Sequence, residues 1–454
     1  MFFDTIAAIA SPYGRGAVSM IRISGSEALT VADRIFIPKS KKPFKESTPT
    51  KAVYGDIYSG DELIDDCVAI YYRSPHSYTG EDTVEVFCHG GILVTNEVLK
   101  AILVSGARPA EAGEFSKRAF INGKLSLSQA ESVISTIDAK STEALKLARS
   151  HRDGVFTKEI ERHYNALLNI TSSIYAYADY PDEDLTDMSA DEMKRSLEEV
   201  SGSLTSLLGS YKRGKAISEG IYTAILGKPN TGKSALLNML LGEDRAIVSS
   251  VEGTTRDRIE EDLILGKVKL RIADTAGIRS SDDAIENIGI EKSIEAMEKA
   301  DLVFAVFDSS SLPDEKDEEF IKKLKTLTVP VITLMNKCDE KMVWEGPEAE
   351  NKLFISAKNA LGVNEITSLV EKLFTDGDID YSQNAVIANT RQKALIERAL
   401  SLVNYALDAL KEGFTPDVAG TDLENAMAAL AECDGRAVSE DIANAIFSRF
   451  CVGK

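Results

Sequence analysis

The apolar run Ile221-Tyr222-Thr223-Ala224-Ile225-Leu226 leads straight into Gly227-Lys228-Pro229-Asn230-Thr231-Gly232-Lys233-Ser234, and a leucine-rich, helix-like stretch starts at Ala235. A strand, a glycine loop and a helix in that order form a phosphate cradle. Glycines let the backbone wrap an anion so that successive N–H groups and a helix N-terminus point at it, Lys233 adds positive charge, and the Ser234 hydroxyl can reach a magnesium ion. The bare pattern arises by chance in roughly one or two chains per hundred of this length. The strand-loop-helix context and a series of further motifs downstream are what give it weight.

Those motifs follow in order. Gly253-Thr254-Thr255-Arg256-Asp257 places Thr255 as a second hydroxyl for magnesium and a sensor of the γ-phosphate. Asp274-Thr275-Ala276-Gly277 follows a strand-like run; its carboxylate can hold magnesium through water and the Gly277 N–H can touch the γ-phosphate. In Asn336-Lys337-Cys338-Asp339, the Asp339 carboxylate offers two acceptor oxygens to a base edge with two N–H donors, which guanine has and adenine lacks. Ser356-Ala357-Lys358 would back the base from the other side. The set resembles the translation-factor-like GTPases. Where Ras-like proteins carry a water-orienting glutamine after Asp-x-x-Gly, this chain has Ile278, and no arginine finger is evident. Asn230 then has two readings. Its side-chain oxygen could ligate a monovalent cation beside the β- and γ-phosphates, neutralising transition-state charge, or it could hold the loop by hydrogen bonds.

Around this block the pattern changes. Residues 1–120 alternate strand-like (5–10, 17–23, 67–73, 83–88) and helix-like (27–36, 92–105) stretches, an α+β signature. Residues 121–215 turn helical, with an acidic, turn-like stretch at 179–187 between two long helices. Residues 216–380 alternate short apolar strands (268–273, 302–307, 329–335, 353–355) with helices, which is a doubly wound α/β domain. Residues 381–454 are helical again, and Thr421 to Glu424 reads as a capping box opening a helix. Neither helical block looks self-sufficient, so the expected fold is multidomain: an α+β domain, a discontinuous all-helical domain, and an inserted P-loop domain.

With 454 residues the chain has room for several cores. Its net charge of −20 argues against broad affinity for nucleic acid or anionic membranes, without excluding a local basic surface or a basic partner. Cysteines at 67, 88, 338, 433 and 451 lack paired metal-site spacing, and their odd number suits a reducing cytoplasm. The N-terminus carries Asp4 and no basic lead-in, so it does not read as a secretory signal. No apolar run approaches the roughly 20 residues of a membrane span. A cytoplasmic protein is expected.

Motifs outside the nucleotide block carry a more specific resemblance. Asp4-Thr5-Ile6-Ala7, Gly14-Arg15-Gly16, Arg22-Ile23-Ser24-Gly25, Tyr78-Thr79-Gly80-Glu81-Asp82, Cys88-His89-Gly90-Gly91, Gly113-Glu114-Phe115-Ser116-Lys117-Arg118-Ala119-Phe120, Gln129-Ala130-Glu131, the extension Ile278-Arg279, and the terminal Phe450-Cys451-Val452-Gly453-Lys454 together resemble the MnmE (TrmE) family of tRNA-modifying GTPases over the whole chain. The resemblance implies a potassium-dependent GTPase whose G domains pair across a homodimer. In this reading GTP contacts fall to Asn230, Thr231, Gly232, Lys233, Ser234 and Ala235, to Ser249, Ser250, Val251, Glu252, Gly253, Thr254 and Thr255, to Asp274, Thr275, Ala276 and Gly277, and to Asn336, Lys337, Asp339, Ser356, Ala357 and Lys358. Potassium falls to Asn230, Ser249, Val251 and Thr254, magnesium to Ser234 and Thr255, and the water-orienting role to Glu286.

The resemblance also implies a folate-binding-like N-terminal domain carrying a tetrahydrofolate derivative, in 5-formyl or methylene form. Arg22, Glu85, Lys124 and Lys454 map onto its binding positions. Read without the family, each is an ordinary surface ion-pair residue. Cys451 lies four from the end, but Gly453 and Lys454 do not suit prenylation. It is either a buried structural thiol or, as the family reading has it, a catalytic residue near the folate.

The implied function is that of the GTPase subunit of a tRNA wobble-uridine modification enzyme. It would work as a homodimer, in a heterotetramer with an FAD-containing MnmG/GidA-family subunit, the FAD sitting only on that partner. Together they would add aminomethyl or carboxymethylaminomethyl groups at uridine C5. A ribosome-assembly or signalling GTPase would share the nucleotide motifs but not the N-terminal ones. A stand-alone folate-dependent aminomethyltransferase would leave the nucleotide domain idle.

Overall fold

The computed structural model describes residues 4–179, 188–245, 261–272, 300–375 and 380–453. The chain divides into two compact units. One comprises Met1–Ile134, Arg152–Asn169 and Glu424–Lys454, the other Ser135–His151 and Ile170–Leu423.

The first unit is built on a seven-stranded sheet: β1 (Ile6–Ile9), β2 (Val18–Ser24), β3 (Phe36–Pro38), β4 (Ala52–Ser59), β5 (Glu62–Tyr72), β6 (Thr83–His89) and β7 (Arg108–Pro109), in the order β3-β4-β5-β6-β2-β1-β7. Alternation decides its faces. Ile21, Ile23, Val84 and Val86 are fully buried with Val31 and Ala32 of α1 (Ala28–Ile35) and Val98 and Ile102 of α2 (Ile92–Val104). Arg22 and Glu85 therefore stand on the opposite face, and the β2-β6 register places them directly across from each other. Beyond the sheet come α3 (Glu114–Ile121) and α4 (Leu127–Asp138). A small apolar core joins Leu127 and Ala130 of α4 to Phe447 of the C-terminal helix and to Phe450.

The second unit carries the predicted doubly wound sheet. Its strands are β8 (Ile221–Leu226), β9 (Glu261–Leu265), β10 (Val268–Ile272), β11 (Leu302–Asp308), β12 (Val331–Asn336) and β13 (Lys352–Phe354), in the order β13-β12-β11-β8-β10-β9. All pairings are parallel except β9 with β10. Strands β11 and β12 are almost wholly buried, which is why they read as unbroken apolar runs. Both α5 (Thr142–Arg152) and α6 (Val155–Asp179) cross the division between the two units. Helices α7 (Ala190–Gly209), α8 (Tyr211–Ser218), α9 (Lys233–Arg245), α10 (Glu315–Leu324), α11 (Val363–Thr375) and α12 (Thr390–Lys411) complete this unit, with α13 (Pro416–Asp434) crossing to the first and α14 (Glu440–Phe447) within it.

The sequence expectations differ from the structure in three places. The helical run through 125–147 is two helices, α4 and α5, broken at 139–141. Strands β3, β4, β7 and β9 were not anticipated. Thr421 to Glu424 is not a helix start, because α13 already begins at Pro416, where a missing N–H costs nothing in the first turn, and runs through both residues. The stretch 180–187 lies outside the described residues; α7 beyond it opens on a capping box of Ser189 and Glu192.

Candidate functional site

The nucleotide loop leaves the C-terminal end of β8, between β10 and β11, the crevice where open α/β sheets take their ligands. Two glycines are needed here for space as well as for conformation. A Cβ at Gly227 (φ +156°) would lie 2.3 Å from the Val306 carbonyl oxygen, and one at Gly232 (φ +94°) 2.1 Å from the Asn336 amide nitrogen. Asn230 adopts φ 63°, which asparagine tolerates better than most residues. The loop's inner bonds converge on one carbonyl: Lys228 O accepts from Thr231 Oγ1 (2.9 Å) and from Lys233 Nζ (2.7 Å), which also donates to Gly227 O (2.8 Å). Burial pushes the Lys233 ammonium below its ordinary pKa. The Lys228 ammonium is held outside the loop by Asp317 (2.6 Å) and Asp314 (2.9 Å), the pair that also form the capping box of α10.

Asn336, buried at the end of β12, ties the loop to the base-binding side. Its Nδ2 donates to Thr231 O (2.8 Å), and its Oδ1 accepts from Ala357 N (2.9 Å). Lys337 (φ 65°) turns its ammonium onto Asp308. Burial acts to raise the Asp308 carboxyl, but its bonds to Lys337 and Ser310 hold it below the usual range. Asp339 is exposed, and the Ser356 hydroxyl keeps its carboxyl below the usual range. Ser356 is itself fixed by a two-way backbone bridge to Leu361. The result is a charged carboxylate at the crevice, prepared for two N–H donors.

In the first unit, the Arg22 guanidinium bonds Glu85 Oε1 through both Nε (3.0 Å) and Nη2 (2.8 Å), and both side chains are mostly covered. Two rings flank it, Tyr78 at 5.1 Å and Phe115 at 5.6 Å. Tyr78 is fixed by its hydroxyl to Ser116 Oγ (2.7 Å). Burial, and after it Glu85, raises the pKa of Tyr72. Lys124 donates to Pro75 O (2.9 Å).

Helix α3, which supplies Phe115 and Ser116, is held by Arg118. This arginine is fully buried and bonded to Asp4, Glu81 and Glu114 at 2.9, 3.1 and 2.9 Å. The C-terminal tail docks at the start of the same helix: Gly113 N donates to Cys451 O (3.4 Å), and Ala112 pairs with Val452. Cys451 is exposed there, while a Cβ at Gly453 (φ +97°) would meet Ile9 O at 2.2 Å.

Comparison with known proteins bears on both sites. Residues 5–124 match the family described as GTP-binding protein TrmE N-terminus, and residues 127–451 match the MnmE helical domain. The chain belongs to the MnmE family. The tRNA modification GTPase MnmE of Clostridioides difficile is 39% identical over 99% of this chain and 99% of its own length, and that of Thermotoga petrophila 40% identical over 99% and 100%. This MnmE-family chain is accordingly an enzyme, a GTP hydrolase acting in tRNA modification.

Of the residues singled out from sequence, Asn230, Thr231, Gly232, Lys233, Ser234 and Ala235 lie on the loop and the start of α9, joined through Asn336 to Ala357. Lys337, Asp339, Ser356 and Lys358 stand on the same rim of the sheet, after β12 and β13. Arg22 and Glu85 form one pair. Ser249, Ser250, Val251, Glu252, Gly253, Thr254, Thr255, Asp274, Thr275, Ala276, Gly277, Ile278, Glu286 and Lys454 lie outside the described residues. Sequence reasoning missed Lys228, Asp308, Asp314 and Asp317 as supports of the loop and rim, and Tyr78 and Phe115 as the rings beside Arg22. Tyr78 and Phe115 do stand in the family-like motifs already picked out; the supports of the loop carry no such signal.

Proposed function

We propose that this chain is the GTPase subunit of the enzyme that installs aminomethyl or carboxymethylaminomethyl groups at C5 of the wobble uridine of certain tRNAs, using a one-carbon unit from a tetrahydrofolate. The observation that carries the folate part is the Arg22–Glu85 pair between Tyr78 and Phe115, with the docked Cys451 tail two residues from Phe115 along the chain. A flat heterocycle with N–H donors suits a carboxylate between aromatic rings, and basic groups suit a glutamate tail. Lys124 and Lys454 would serve that tail. The test is equilibrium binding of 5-formyltetrahydrofolate to the full chain and to Glu85→Gln: binding by the first and at least about tenfold weaker binding by the second are expected, the worth of one charge-assisted bond. Equal binding would remove Glu85 from the site.

We read the nucleotide half as a cation-assisted GTPase. Magnesium would be held by Ser234 and Thr255, and potassium by Asn230, Thr254 and the main-chain oxygens of Ser249 and Val251. Support comes from Asn230: its side chain has no hydrogen-bond partner among the described residues, which disfavours a purely loop-holding role. A cation there would supply the charge that an arginine finger supplies elsewhere. GTP turnover should fall by about 10-fold or more when potassium is replaced by sodium, within the range a lost transition-state charge allows; equal rates in the two salts would sink the idea. Glu286 would orient the attacking water, so Glu286→Ala should lower turnover while GTP affinity stays the same, and a loss of affinity would mark it as structural.

The assembly we infer is a cytoplasmic homodimer with an FAD-bearing MnmG/GidA-type subunit that supplies the redox chemistry, the domains being 1–120, 121–215, 216–380 and 381–454. Among the described residues no helix is long and apolar enough to cross a membrane.

A further inference from the structure

We propose that the connection between β3 and β4, residues 39–51, is a surface of this chain that grips the phosphate backbone of tRNA. It holds five lysines, Lys39, Lys41, Lys42, Lys45 and Lys51, against one acidic residue, Glu46, in a chain with 72 acidic and 52 basic residues. All five lysines are exposed. Lys39 pairs with Asp56 at 2.7 Å, and Lys45 stands 3.9 Å from Asp33. Lys41, Lys42 and Lys51 have no carboxylate partner among the described residues. In so acidic a protein, a run of basic side chains left unneutralised on one short segment is positioned for an anion from outside.

The segment is a built surface. Phe44, fully buried at its centre, stacks edge-on against Phe36 at 5.1 Å and anchors the connection in the core of the sheet. The backbone is tied down on both sides of it: Lys41 N to Pro38 O (2.8 Å), Lys45 N to Asp33 Oδ1 (3.1 Å) and Thr50 N to Tyr71 O (2.7 Å). The lysines are thus presented on a fixed frame, which limits the ordering cost of binding to their side chains.

The chemistry favours a phosphate backbone. Separate ammonium point charges suit successive phosphates without reading bases, whereas paired carboxylates are better met by the guanidinium fork of arginine, which the segment lacks. This surface would let a strongly acidic subunit make its own contact with the RNA its family acts on.

The test is the salt dependence of binding, which reports the number of phosphates neutralised. The full chain and the variant Lys41→Gln/Lys42→Gln/Lys51→Gln are titrated against a fluorescently labelled, unmodified tRNA transcript from about 50 to 200 mM salt. The slope of log K against log salt should shrink by about two and affinity should fall about tenfold or more at the low-salt end, since each lysine lost spares roughly 0.7 of a counterion. The Lys→Arg triple variant should bind as the wild type does, which separates charge from misfolding. An unchanged slope in the glutamine variant overturns the proposal, as does a wild-type chain that binds no tRNA at the lowest salt. A variant that keeps tRNA affinity but loses a protein partner assigns the surface to an acidic protein and overturns it too.

Discussion

Asp339→Asn should weaken GTP binding by about two to three orders of magnitude, the loss expected when two charge-assisted hydrogen bonds become one neutral one and one mismatch. The same change should create affinity for xanthosine triphosphate. Guanine offers two N–H donors to the carboxylate; xanthine has a carbonyl where guanine has its amino group, and repels it. An asparagine amide offers one acceptor and one donor and so matches xanthine. The backbone around the residue favours a clean exchange: Cys338 N is bonded to Ile355 O at 3.1 Å, and Ser356 is bridged to Leu361, so the position is set by main chain that the substitution leaves alone. Asp339 is exposed, so little packing is disturbed. Competition of unlabelled GTP and xanthosine triphosphate against a fluorescent nucleotide measures both affinities. A variant that loses both nucleotides equally would mean that Asp339 holds the loop and does not read the base.

The parts legible in the sequence were those whose chemistry is local. The phosphate loop could be read because its glycines, its lysine and the flanking strand and helix are contiguous. The second role of Asn336 could not, since it depends on β12 lying beside β8's loop and on Ala357 arriving from another strand end. In the first unit, alternation alone puts Arg22 and Glu85 on one face of their strands, but only the register makes them partners. Strand β4 was hidden by Gly55, which lowers β propensity; the structure gives its reason, since a Cβ there would meet Ile37 O at 2.5 Å and the Phe36 ring at 2.6 Å. Strand β9 was hidden because it is a short edge strand. The false start at Thr421 arose from weighing a side-chain pattern above Pro416, whose fixed φ sets the true start.

Cys451→Ser should reduce tRNA modification by about 10²-fold or more, the scale on which a lost nucleophile or proton donor is felt, while GTP turnover stays within about twofold of the wild type. The substitution keeps size and hydrogen bonding and removes only the acidity and nucleophilicity of sulfur. Its neighbours make that difference readable. The residue's own carbonyl accepts from Gly113 N, Val452 pairs with Ala112, and Gly453 lies against Ile9, so the tail's path is set by backbone contacts on either side of the thiol. Gly453→Val is the complementary variant. With φ at +97° and Ile9 O 2.2 Å from the new Cβ, the tail must move while the thiol survives. If the thiol takes part in the chemistry, both variants lose modification; if the tail merely closes the site beside Arg22, the serine variant modifies tRNA fully and only the valine variant fails. Nucleoside analysis of tRNA from cells carrying each variant, read beside GTP turnover of the purified proteins, separates the two. Full modification by Cys451→Ser would leave the tail a structural role and take the sulfur out of the reaction.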